Sequence, residues 1–162
     1  MTPSASCRIR MASGADLETI DALEAASFEA DRFPRRNLRR MLAGGRTVFL
    51  LAETGNHPAG YLALSFRRGA RTGRLYSLAI APQARGHGVG AALIARAIEE
   101  AACRGLRSVR LEVRESNIAA QKLYLRCGFT LRGRRESYYG DGEAALLYEA
   151  PVARSAMEGA TL

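Results

Sequence analysis

Apolar positions recur along the chain in two periods, and the switches between them mark out the elements. Leu17, Ile20, Leu23 and Ala26 stand at helical spacing, which predicts a first helix over 16–26 that ends near Ser27. The run RRNLRRML predicts a short second helix, with Pro34 suited to its first turn and Gly44 and Gly45 as its stop. Extended stretches at 8–12, 47–53, 59–66 and 74–80 read as strands. The turn residues Gly55, Asn56, His57 and Pro58 join the middle two into a hairpin.

The period changes at Gly86. A glycine-rich turn opens a helix over 88–104, with Arg96, Glu99, Glu100 and Arg104 on one stripe and Ala92, Ile94, Ile98 and Ala102 among its apolar positions. Gly105 fits a left-handed cap at its end. Residues 108–114 then alternate, with Val109, Leu111 and Val113 on one face and Arg110 and Glu112 on the other. A helix over 118–127 starts on Ser116 or Asn117 and stops at Gly128, and strands at 130–138 and 143–150 turn at 140–142. The order β, α, α, β, β, β, α, β, α, β, β combines an antiparallel meander with one right-handed β-α-β crossover. It predicts a single α/β domain over 1–151, with a mixed, mostly antiparallel sheet of six to seven strands, helices on both faces, and a flexible tail at 152–162.

Composition narrows the class. The 162 residues are 48% hydrophobic and 25% charged, which excludes a low-complexity or highly charged disordered chain. Cys7, Cys103 and Cys127 are widely spaced without a CxxC pair, so neither a disulfide framework nor a metal site is expected. The N-terminus lacks a basic segment followed by an apolar run, and no apolar stretch nears the roughly 18 residues of a membrane span. A cytoplasmic protein without a membrane partner is therefore expected. The net charge is +8, and Lys122 is the one lysine among 24 basic residues. Arginine is the better phosphate fork, and a positive field attracts an anionic ligand such as nucleic acid or a phosphorylated cofactor. RNA-reading surfaces interleave aromatics with their basic residues, whereas here the two stand mostly apart, so nucleic acid is not the expected partner.

The sharpest chemical signal is Arg85, Gly86, His87, Gly88, Val89 and Gly90, between a strand and a helix. Alternating glycines let a backbone approach a ligand closely, and the free N–H groups of the next helical turn then face an anion. That is a pyrophosphate cradle; a flexible connection without a ligand is the alternative. No GK[ST] follows, and Ala91 stands where the dinucleotide fingerprint needs a third glycine.

The stretch LAIAPQARGHGVGAALIARAIEEA at 78–101 resembles the acetyl-CoA motif of the GNAT superfamily of N-acetyltransferases, its RxxGxG met by Arg85, Gly88 and Gly90. LEVRESNIAAQKLYLRCGF at 111–129 and RRESYY at 134–139 look like the ribosomal-protein-alanine N-acetyltransferases, the RimI-like branch. The resemblance is strong from Leu75 to Tyr148, and before that rests mainly on Phe33 and Pro34. It implies a GNAT fold and an acetyl-CoA co-substrate. Backbone groups of Leu78, Ala79 and Ile80 would meet the pantetheine arm, residues Arg85 to Gly90 would hold the pyrophosphate, and Asn117 would touch the pantetheine. The resemblance makes Glu112 the general base and Tyr124 the general acid, and puts Phe33, Tyr138 and Tyr139 at the acceptor entrance. Arg35 departs from the branch, which carries tryptophan there, and the chain contains no tryptophan.

Read without the resemblance, Glu112 lies on the polar face of a central strand, either facing an open cleft or paired with Arg110 or Arg114. Tyr124 shares a helix face with Ala120, Leu123 and Cys127, which on spacing alone is a buried structural tyrosine. Cys127 reads as a small core residue, His87 as a solvent-facing spacer, and Tyr138 and Tyr139 as strand residues that either pack across strands or line the entrance. The branch's protein substrate is basic near its N-terminus, so acceptance by a +8 enzyme requires acidic groups such as Glu29, Asp31, Glu136 and Asp141 at the entrance. The resulting expectation is a monomeric or weakly dimeric enzyme that transfers acetyl directly to a protein N-terminal amine. A small amine is the first alternative, and a non-catalytic arginine-rich RNA-binding module the second.

Overall fold

The computed structural model describes residues 7–28 and 31–153. The described elements are β1 (Cys7–Met11), α1 (Leu17–Ser27), α2 (Arg35–Ala43), β2 (Thr47–Thr54), β3 (His57–Ser65), β4 (Thr72–Ile80), α3 (Val89–Cys103), β5 (Ser108–Arg114), α4 (Ile118–Arg126), β6 (Thr130–Arg135) and β7 (Ala145–Pro151). This is the order read from the sequence. Short 3-10 turns at Gly14–Asp16 and Pro82–Ala84 lead into α1 and towards α3.

The strands form one sheet in the order β1-β2-β3-β4-β5-β7-β6. Every pair is antiparallel except β4 with β5, and a parallel pair requires a crossover, which α3 supplies. That parallel ladder has only the rungs Thr72↔Ser108, Gly73↔Val109 and Arg74↔Arg110. Beyond them β4 continues along β3 to Ile80 and β5 continues along β7 to Arg114 without pairing to each other. A wedge opens in the middle of the sheet.

Both faces of the sheet are covered, which explains the unbroken apolar run Val48–Ala52 in β2. Val48, Leu50 and Ala52 pack with Leu93, Ile94 and Ala97 of α3, and Tyr124 of α4 joins the same cluster. Phe49 and Leu51 point the other way, into a cluster with Leu17, Ile20 and Leu23 of α1 and Leu38 of α2. In β4 the register slips, since Leu64 pairs with Leu75 while Ala63 pairs with Ser77, leaving Tyr76 as a bulged extra residue. The bulge changes which positions face which core: Leu75, Leu78 and Ile80 lie on the α3 side, and Tyr76 and Ala79 on the α1 side.

Several local expectations are corrected. The hairpin turn is Gly55-Asn56 alone, with Gly55 in the left-handed region at φ +63°, and His57 and Pro58 already belong to β3. The two-residue turn suffices because Gly55 supplies the positive φ. β6 stops at Arg135, so Tyr138 and Tyr139 lie in the loop before β7, not in a strand. Pro34 caps α2 rather than occupying its first turn. Val152, placed in the tail, donates to the Arg107 carbonyl at 2.8 Å; residues 154–162 lie outside the described ones.

Gly60 faces Gly-only space on β3, where an added Cβ would come within 2.8 Å of the Ala79 carbonyl oxygen and 2.9 Å of Ile80 Cδ1. The backbone oxygen cannot move without breaking the β3–β4 ladder. Gly60→Ala is expected to lower unfolding free energy by about 1–3 kcal/mol, read from the denaturant midpoint at unchanged m-value.

Candidate active site

The loop between β4 and α3 divides into two halves. Gly86 and Gly88 adopt φ of +81° and +80°, which side chains rarely tolerate, and nothing stands where their Cβ atoms would be. Residues Arg85 to Gly88 are exposed, His87 included. No amide from Gly86 to Ala91 donates to a described backbone carbonyl; the first bond of this turn runs from Ala92 N–H to the Gly88 carbonyl at 3.0 Å. This leaves a bank of unpaired donors at the positive end of a fifteen-residue helix. Arg85 folds back, its Nε donating to the Ile80 carbonyl at 3.3 Å. Val89 and Gly90 belong to the other half: both are buried, and a Cβ on Gly90 would meet Leu123 Cδ2 at 3.0 Å. The missing side chain of Gly90 thus lets α3 pack closely on Leu123 of α4.

Leu78, Ala79 and Ile80 bond to β3 along one edge and have no strand on the other, because β5 has already diverged. Across the wedge, Asn117 caps α4, its Oδ1 accepting from Ala120 N–H at 3.1 Å. The carbonyl end of that side chain is thus committed to the helix, and only its NH₂ end remains for other partners.

Glu112 points from β5 to the side opposite Val109, Leu111 and Val113, as its alternation predicts. Its Oε2 accepts from Arg74 Nε at 3.0 Å, so its partner is neither Arg110 nor Arg114. Arg74 sits on the last rung of the parallel ladder, donates to the Tyr138 hydroxyl at 3.3 Å, and lies 5.6 Å from the centre of the Tyr76 ring. Phe33 stacks on that ring from the α1–α2 side, centroids 4.1 Å apart and planes 22° off parallel. Arg74 and Tyr76 carried no sequence signal, because one answers a carboxylate 38 residues away and the other is exposed to Phe33 by a bulge.

Tyr124 lies on the opposite face, its ring packed against Phe129 at 5.7 Å and Tyr148 at 6.5 Å. It is 8% exposed, yet its hydroxyl is not among the buried polar atoms lacking a partner. Burial first, then the neighbouring Tyr139 and Cys127, hold this phenol well above its ordinary pKa and keep it protonated. Cys127 is half-buried against the same core, and burial pushes its thiol up, as befits a packing residue.

Arg114, at the end of β5, gathers the acidic groups of this end of the molecule. It bonds Asp31 through two nitrogens at 2.6 and 2.9 Å, Asp141 at 2.9 Å and Glu143 at 2.7 Å. One guanidinium against three carboxylates leaves a local excess of negative charge in a chain of net +8. The same guanidinium covers the Tyr139 ring at 4.2 Å, and Tyr138 stands edge-on to Tyr139 at 5.0 Å. Of the acidic residues expected at the entrance, Asp31 and Asp141 meet here, Glu136 pairs with Arg134 instead, and Glu29 lies outside the described residues. Glu143 completes the group and was not anticipated.

The sequence profile described as the Acetyltransferase (GNAT) family matches residues 16–129. The chain belongs to the GNAT family. It is an N-acetyltransferase of the RimI-like branch. A putative [ribosomal protein bS18]-alanine N-acetyltransferase of Bacillus subtilis is 32% identical over 133 residues, covering 82% of this chain and 87% of that protein. The crystal structure of the ribosomal-protein-S18-alanine N-acetyltransferase from Escherichia coli superposes with a TM-score of 0.82 at 25% identity, covering 93% of this chain and 96% of the other. A nourseothricin acetyltransferase structure is also similar, with a TM-score of 0.76 and 29% identity over 91% of this chain and 99% of the other.

Arg114 makes the GNAT loop before β7 depend on one side chain. Asp141 and Glu143 are held below the ordinary carboxylate range, mainly by the bonds at Glu143 N–H and Ser116 respectively and then by Arg114. Depressed carboxylates contribute stability above their unfolded pKa and lose it as pH falls through the folded value, so the loop stays tied at neutral pH. Arg114→Gln is expected to speed amide exchange at Tyr139 and Ser116 by about tenfold or more at pH 7, with far less change in the β2–β3 amides.

Proposed function

We propose that this enzyme moves the acetyl group of acetyl-CoA directly onto a primary amine, with the N-terminal α-amine of a protein as its first acceptor. The observation that carries the reading is the end of β4–β5 pairing at Arg74↔Arg110, which opens a through-sheet wedge between a bank of free amides and Glu112. The residues present fit the co-substrate. The amides of Gly86 to Gly90 would hold a pyrophosphate, with Arg85, released from the Ile80 carbonyl, as its counter-charge. The unpaired edge of Leu78, Ala79 and Ile80 would receive the pantetheine amides as an added strand receives a neighbour, and the Asn117 NH₂ would donate to the same arm. Acetyl-CoA supplies an activated thioester carbonyl and a thiolate leaving group.

The chain's own groups then manage protons and position. An α-amino group has a pKa of about 7.7–8.0, so only roughly a tenth is neutral at pH 7, and a carboxylate must take the proton. Glu112 serves there through Oε1, the oxygen that Arg74 leaves free. Tyr124 acts as a hydrogen-bond donor to the developing thiolate. Even an ordinary tyrosine at about 10 against a thiol at about 8.5 makes full transfer uphill by roughly 2 kcal/mol. Burial raises the Tyr124 phenol further, which favours donation over transfer. Phe33, Tyr138 and Tyr139 form the aromatic rim of the acceptor side.

The acidic group around Arg114 supports a cationic acceptor, and the names of the bS18-alanine relatives support a protein N-terminus. The nourseothricin enzyme's likeness keeps a small amine as the second reading. The three cysteines are free thiols, in keeping with a reducing cytoplasm.

Thioester consumption measured against an alanine-led peptide and a panel of amino acids, polyamines and aminoglycoside-like amines decides the acceptor. Turnover with the peptide is expected, and turnover with small amines alone overturns the protein-acceptor reading. Glu112→Gln is expected to lower kcat/KM by about 10²–10⁴-fold near pH 7 and less above pH 9, where the amine is already neutral; a pH-independent loss removes the base role. Tyr124→Phe should lower kcat by a factor on the order of 10², with coenzyme A affinity by calorimetry and the melting temperature nearly unchanged.

A further inference from the structure

Glu24 is the one buried carboxylate among the described residues, with zero exposure in the middle of the α1 cluster. No Arg or Lys of the described residues pairs with it. Three donors converge on it instead: Tyr61 Oη at 2.5 Å and Ser77 Oγ at 2.9 Å reach Oε1, and the Phe33 backbone N–H reaches Oε2 at 2.9 Å. Burial and the carboxylate's charge hold the Tyr61 phenol far above its ordinary pKa, so it remains a donor. A buried carboxylate without a counter-charge costs free energy that an apolar residue of similar size would spare. Two of its bonds anchor it to β3 and β4. The third leaves the core and reaches the segment between α1 and α2.

We propose that Glu24 is a positioning residue for the acceptor side of the wedge, tethering Phe33 so that its ring stays stacked on the bulged Tyr76. The path is continuous: Glu24 holds the Phe33 backbone, Phe33 stacks on Tyr76, Tyr76 lies under the Arg74 guanidinium, and Arg74 bonds Glu112. The bulge gives the tether its place, since it turns Tyr76 and Ser77 to the side on which α1 packs. This inference rests on the reading that Phe33 borders the acceptor, and it assigns to a residue remote from the acetyl group an effect on acceptor affinity and none on acetyl-CoA affinity.

Glu24→Gln isolates the tether. With three donors converging on the side chain, the amide orientation that keeps two bonds leaves its oxygen toward Tyr61 and Ser77 and turns its NH₂ against the Phe33 N–H. The full-length variant is expected to show Phe33 amide exchange faster by about tenfold or more. The KM for an alanine-led peptide should rise about tenfold, the fold-change one lost hydrogen bond to a charged group carries. The KM for acetyl-CoA should stay within about twofold. Ser77→Ala removes a sheet-side donor and spares the tether, so its peptide KM should match the parent enzyme. Phe33→Ala, a change at a half-buried ring on the edge of the α1 cluster, should raise peptide KM alone, and adding Glu24→Gln to it should raise peptide KM no further.

Peptide KM unchanged in Phe33→Ala overturns the proposal even where Glu24→Gln fails to fold. Parallel rises in both KM values, or additive effects in the double variant, overturn it as well. If no peptide or small amine turns over, the functional reading fails, while Phe33 exchange in Glu24→Gln still decides whether the tether exists.

Discussion

The chemistry proposed for this molecule depends on a parallel ladder that stops after its third rung. Pairing of β4 with β5 at Thr72↔Ser108, Gly73↔Val109 and Arg74↔Arg110 joins two antiparallel halves into one sheet. Its end leaves strand edges with free backbone groups facing each other across a gap. In most sheets an open interior edge would be a defect, because unpaired buried amides and carbonyls are costly. In the proposed function the edge is a place for a ligand to complete the hydrogen bonding. The bulge at Tyr76 falls immediately after the last rung, where the added local twist of a bulged strand helps turn β4 away from β5.

The same parting sorts the side chains to which we assign the chemistry. Alternation on β5 sends Leu111 and Val113 into the α3 core and Glu112 to the other face, while α4 brings Tyr124 from the α3 side. The proposed proton acceptor and the proposed hydrogen-bond donor thus stand on opposite faces of the sheet. Their environments differ: Glu112 is held by one guanidinium in partly open surroundings, and Tyr124 is a desolvated phenol. Burial raises the phenol and the ion pair orders the carboxylate, so each environment suits the proton role proposed for it.

Charge is distributed against the overall balance. A chain of net +8 gathers Asp31, Asp141 and Glu143 on Arg114 at the end of β5, which leaves the proposed acceptor side locally negative while the loop before α3 holds Arg85 and free amides. The two ends of the gap therefore favour ligands of opposite sign. Arginine suits the hub because its planar fork engages several carboxylates at once and covers the Tyr139 ring.

Local chemistry was legible along the chain, and long-range partnership was not. Helical spacing at Leu17, Ile20 and Leu23, alternation in 108–114, and the glycines at 86, 88, 105 and 128 determined the elements, because each depends on neighbours within a turn or two or on a positive φ that glycine alone accepts. The motif from Leu78 to Gly90 likewise pointed to the family, since its chemistry is carried by consecutive residues. What the tertiary structure decided was every pairing across distant segments: Arg74 rather than Arg110 or Arg114 on Glu112, Gly90 as packing against Leu123, Tyr138 and Tyr139 in a loop, and a buried Glu24 shared by β3, β4 and the segment before α2. A one-residue bulge reverses the faces of a strand without altering its composition, and an ion pair is set by which strands become neighbours, so periodicity along one segment has no access to either.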